Sequence, residues 1–91
     1  MKAQHEKILR DVINTIFECK EKIEQLREDV SLIREEIQES FDSKTEKWQE
    51  SDTGEKVQDE INALDYIHSH LDNSYDSIES ASDDLENLIN S

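Results

Sequence analysis

The residues best suited to chemistry gather in one stretch, Phe41 to Glu55, FDSKTEKWQESDTGE. It holds the only Trp, Trp48, and the only Gly, Gly54, with Lys44 and Lys47 close to the indole. An aromatic face beside two cations can receive a ligand or a partner, so Lys44, Lys47 and Trp48 are the candidate contacts. The structural alternative makes Trp48 a plug that covers the end of a helical seam together with Phe41. His68 and His70 raise the question of a metal, but residues two apart point to different faces of a helix. Asp65, His68 and Asp72 converge better yet fall short of a ligand set, so no metal site is expected. Cys19 is the single cysteine. It has neither a disulfide partner nor a CxxC companion.

No Ser/His/Asp set, phosphate-binding loop or cysteine nucleophile is present. Carboxylates abound, but on a solvated face nothing raises one pKa above its neighbour. The expectation is therefore a protein that is not an enzyme and has no cofactor. Acids outnumber bases 24 to 10, for a formal charge of −14. Such a surface argues against direct binding of DNA, RNA or an anionic membrane and favours a basic partner. No apolar run approaches the ~20 residues of a membrane span. The N-terminal MKAQHEKILRD is too charged for a signal peptide. A reducing cytoplasm is the expected location.

The elements that position these residues read as helices. There is no Pro, and charged residues make up 37% of the chain. From Leu9 the apolar residues follow a heptad. Its a column is Leu9, Ile16, Ile23, Val30 and Ile37, and its d column is Val12, Cys19, Leu26, Ile33 and Ser40. Steps of three and four of this kind predict one long helix over 3–41. Position e beside the seam carries Lys20, Arg27 and Arg34. Ser43 followed by Glu46 has capping-box spacing and predicts a short helix within 43–51. Asp52 followed by Glu55 repeats that spacing and starts the next helix, over 53–90. Gly54 is expected to relieve the backbone at the corner.

The connector residues Phe41, Asp42, Glu46, Gln49, Ser51, Gly54 and Glu55 spell F-D-x-x-x-E-x-x-Q-x-S-x-x-G-E. This pattern, continued into the acidic amphipathic QDEINALDYI, resembles that of small acidic helical proteins of phages and mobile elements. The resemblance covers roughly Phe41 to Leu71. It implies a genomic setting rather than a chemistry.

In the second helix one column is Val57, Leu64, Leu71, Ile78 and Leu85, and the other is Ile61, His68, Tyr75, Ser82 and Ile89. From Val57 to Ser91 there are nine acids and no Lys or Arg. With the first column as d and the second as a, position e carries Asp65, Asp72 and Glu79. In an antiparallel pair the e rows face each other. Lys20, Arg27 and Arg34 then meet Glu79, Asp72 and Asp65, with numbers that sum to 99 each time. The predicted architecture is thus a single all-α domain over 1–91, an antiparallel, coiled-coil-like helical hairpin. Its rival is a parallel dimer through the first helix.

A lone hairpin has one narrow seam and is marginal. The apolar face broadens at the open end, with Ile8, Ile13 and Phe17 on one helix and Ala81, Leu88 and Ile89 on the other. Self-association there into a helical-bundle homo-oligomer is expected. For function the charge asymmetry, taken with the setting that the connector's resemblance implies, points to a non-enzymatic, phage-type accessory protein. It would bind and inhibit or sequester a host defence or DNA-processing component, as an acidic nucleic-acid mimic docking on a basic host protein. The alternatives are an oligomeric sponge for a small signalling nucleotide, held by Lys44, Lys47 and Trp48, and a purely structural oligomerisation module.

Overall fold

Three helices and no strand make up the computed structural model, which describes residues 1–91: α1 (Ala3–Asp42), α2 (Glu46–Gln49) and α3 (Asp52–Asn90). The long helices run antiparallel and touch along their length, with α2 closing one end. The result is a rod of 67 × 14 × 14 Å. Its radius of gyration is 20.2 Å. A compact domain of this length would have about 12 Å.

So elongated a shape buries very little. Gly54 and Ile61 are the only fully buried residues. On α3 both apolar columns are half-buried or better, from Val57 to Ile89. On α1 the a column is half-buried, but the d column is not. Val12, Leu26 and Ile33 are 40%, 50% and 48% exposed, and Cys19 is exposed as well. The second half-buried column of α1 is instead e: Ile13, Lys20, Arg27, Arg34 and Phe41. This corrects the reading in which a and d together form the seam. α1 is rotated so that its basic row enters the contact, and half of its apolar heptad stays outside.

The corner is built from side chains that cap helix ends. The backbone N–H of Ser43 donates to Glu39 O at 3.1 Å, and its hydroxyl donates to Ser40 O at 2.7 Å. Ser43 therefore closes α1 and does not open α2. The N-cap of α2 is Thr45, whose hydroxyl accepts from the Trp48 N–H at 3.2 Å. The N-cap of α3 is Ser51, whose hydroxyl accepts from the Gly54 N–H and donates to Trp48 O. The sequence spacing placed each of these caps one or two residues away, because Ser, Thr and Asp compete for the same role. Gln49 reaches back with its amide to Phe41 O at 3.0 Å, in the last turn of α1, and to Lys44 O at 3.3 Å, in the link to α2. Phe41 and Trp48 meet edge to face at 6.0 Å between ring centres.

Gly54 has an ordinary negative φ, so backbone freedom is not the reason for it. A Cβ at this position would sit 2.3 Å from both Trp48 O and Gln49 O. Glycine is needed because α3 starts directly against the carbonyls of α2. Replacing Gly by Ala inside a helix ordinarily adds up to about 1 kcal/mol. Here Gly54→Ala is expected to cost about 1–3 kcal/mol, because two backbone carbonyls must move. Thermal unfolding checks this, and a midpoint equal to or above wild type contradicts it.

Candidate functional site

Four surfaces offer chemistry: the charged edge of the seam, the corner, the outer face of α3 and the uncovered flank of α1. At the seam Arg27 Nη1 donates to Asp72 Oδ1 at 2.8 Å, and Arg34 Nε donates to Asp65 Oδ1 at 3.0 Å. Lys20 Nζ lies 3.8 Å from Glu79 Oε2. These are the three facing pairs of the e rows. Tyr75 sits between two of the cations, with Lys20 Nζ 5.1 Å and Arg27 Cζ 4.7 Å from its ring centre. That sandwich follows from the same register, which sets Tyr75 level with residue 24, midway between Lys20 and Arg27. Sequence reasoning about packing alone did not assign Tyr75 this role.

His68 is half-buried in the seam, with Nδ1 3.3 Å from Asp72 Oδ2. His70 is exposed on another face, and no three His, Cys, Asp or Glu side chains gather in a cluster that could hold an ion. The Arg27 hydrogen bond, more than any other influence, holds the Asp72 carboxyl below its ordinary value. Partial desolvation opposes the shift, and the charge of His68 assists it. The same bond raises Arg27, which is charged throughout.

At the corner Lys44 Nζ lies 5.6 Å from the Trp48 ring centre. An open groove beside them is lined by Ile37, Ser40 and Val57 and by two acids, Glu36 and Glu60. Lys47 does not line this groove. Of the three residues singled out for a ligand, the structure brings Lys44 and Trp48 together and leaves Lys47 apart. Two carboxylates against one ammonium make the groove net negative, which disfavours a phosphate.

The outer face of α3 is acidic. Asp52, Glu55, Asp59, Glu60, Asp76, Asp83, Asp84 and Glu86 are all exposed, and none is paired with a cation. Of the residues expected at an oligomer interface, Ile8, Phe17, Ala81 and Leu88 are exposed. Ile13 and Ile89 are half-buried within the hairpin itself. Phe17 projects from the helix on the side away from the d column, so these residues do not form one continuous patch.

Two outcomes test the seam. Changing Lys20, Arg27 and Arg34 to Glu should lower the unfolding midpoint, and changing Asp65, Asp72 and Glu79 to Lys in the same chain should raise it again. A combined variant no more stable than the first would refute the pairing. For pH, a lowered folded pKa means that Asp72 stabilises fully above the ordinary carboxylate range. That contribution is lost as pH falls through the lowered folded value. Asp72→Asn should therefore unfold earlier than wild type at neutral pH, with the gap closing in acid. A gap independent of pH would contradict this.

Comparison with known protein families, with curated proteins and with solved structures finds no match to the chain.

Proposed function

We propose that the chain is a non-catalytic, self-assembling protein that docks through the acidic face of α3 on a basic partner and blocks it. The carrying observation is the division of charge in the hairpin. Residues 46–91 hold 13 acids against Lys47 and Lys56. Cations of α1 neutralise only Asp65, Asp72 and Glu79 across the seam. The remaining carboxylates stand on a rigid helix with fixed spacing, and such a row is complementary to a groove that holds nucleic acid. The likeness of the connector to phage proteins supplies the setting in which such a mimic would serve, the inhibition of a host defence or DNA-processing protein. Self-assembly is favoured by the small core, since a lone seam with one fully buried apolar side chain, Ile61, needs further support.

The nucleotide sponge is the weaker reading. It needs cations and aromatics gathered in one place, and the corner offers Lys44 and Trp48 against Glu36 and Glu60. The structural module needs only the two helices and gives the acidic face no task.

Immobilised protein should retain basic nucleic-acid-binding proteins at low ionic strength and release them as salt is raised past about 0.2 M, where the Debye length falls below roughly 8 Å. Changing Asp76, Asp83 and Asp84 to Asn should weaken retention without loss of helicity. Calorimetry against cyclic di- and trinucleotides should show no heat of binding. If neither basic proteins nor nucleotides bind, the structural module is the correct reading.

A further inference from the structure

We infer that the flank of the hairpin formed by the d column of α1 is the contact with a second copy of the chain. The inference deepens the self-assembly part of the proposed function by giving it a face. That face starts at the open end, where the apolar pattern of the sequence suggested it, keeps Ile8, Ala81 and Leu88, leaves out Phe17, and runs on along α1 to Ile33.

The argument starts from geometry. The e rows lie on one side of the seam, where the ion pairs are. The d column is turned about 100° from e around a helix, so it lies on the other side. There Ile8, Val12, Cys19, Leu26 and Ile33 form a line along α1, all exposed. The upper part of this line and Ile78 of α3 enclose a groove of about 350 Å³, lined mostly by apolar atoms. The α3 wall is continued by the column next to that of Ile78: Ile67, Ser74, Ala81 and Leu88. Acids are common on α3, yet none stands in this column between Ile67 and Leu88. Asp11 is the one charged residue that lines the groove, so this side is mostly apolar over that stretch of the rod.

The occupant follows from area and symmetry. A folded monomer of 10.7 kDa has about 5,500 Å² of accessible surface by the usual scaling. The hairpin has 6857 Å². The excess, roughly 1,300 Å², belongs to the rod as a whole, and a contact along one flank would remove part of it; about 800 Å² per partner is enough for a stable interface. A chain of charge −14 repels its copy least where charges are sparse, as along this flank. Two identical flanks meeting about a two-fold axis bury both without leaving an open edge. A heptad column whose partner is missing inside one hairpin is thereby completed by another.

Cys19 lies in the middle of this line and reports on it directly. At tens of micromolar protein, light scattering should give twice the 10.7 kDa chain mass. Leu26→Asp with Ile33→Asp should return the mass of one chain, whereas Phe17→Asp should remain a dimer. Because the double variant could also unfold, the second readout uses the wild-type chain. Its Cys19 thiol should react with a maleimide at least about tenfold more slowly at high protein concentration than on dilution to nanomolar, as a covered group does. A single-chain mass with full helicity overturns the inference. So does a dimer that Phe17→Asp breaks and the double variant does not, or Cys19 labelling that ignores concentration. Binding of a basic partner is read in a separate assay, so either result can fail while the other stands.

Discussion

The antiparallel contact between the a and e columns of α1 and the apolar columns of α3 is the constraint on which the rest depends. It is thin, with one side chain, Ile61, fully buried. In the observed register each cation of α1 meets a carboxylate of α3. Exposed ion pairs add little stability, and the acidic e row of α3 would still offer these cations carboxylates after a one-heptad shift, so the short corner, more than the charges, fixes which carboxylate each one meets. Arg27 adds a contact that belongs to the observed register. Its guanidinium serves Asp72 and the face of Tyr75 at once, and a shift by one heptad would keep a carboxylate opposite it but lose Tyr75. The hydrophobic columns hold the helices together, and the facing basic and acidic rows favour their antiparallel pairing.

The corner translates that register into a short turn. Several of its motif residues are occupied with chain geometry: Gln49 with the carbonyls of Phe41 and Lys44, Ser51 with the start of α3, and Gly54 with the approach to α2. Asp42 accepts from Gln38 at 2.9 Å, and Phe41 packs on Trp48. Five of the seven motif residues are thus tied to the path of the chain. Function is left to the surfaces, and these divide sharply. One side carries the paired charges, the outer face of α3 carries unpaired acids, and the flank of α1 is mostly apolar, with Asp11 beside its groove.

Much of this was legible in the chain itself. The heptads mark two long helices and a break, and facing e rows that sum to 99 are readable before any coordinates. Cap positions were less legible, since Ser43, Thr45, Ser51 and Asp52 can all cap and only the three-dimensional path selects among them. The purpose of Gly54 was hidden because a close approach leaves no sign in local sequence. The largest gap concerned the d column of α1. A heptad shows which residues want burial but not which neighbour buries them, so Val12, Leu26 and Ile33 read as seam and stand outside it. The acidic row suggests a basic partner by sign alone, and the partner's shape is not encoded in a pattern of charges.

The central claim is that one chain folds back on itself in this register. An intramolecular distance measures it directly. Spin labels on cysteines introduced at Ala3 and Asn90, in a Cys19→Ser background diluted with unlabelled protein, report the separation of the helix ends at the open end of the rod. With helix axes about 10 Å apart, the hairpin predicts a narrow distribution on the order of 10–25 Å. A distribution centred beyond the 67 Å length of the rod would mean that α1 and α3 pair with other chains, and would contradict the account.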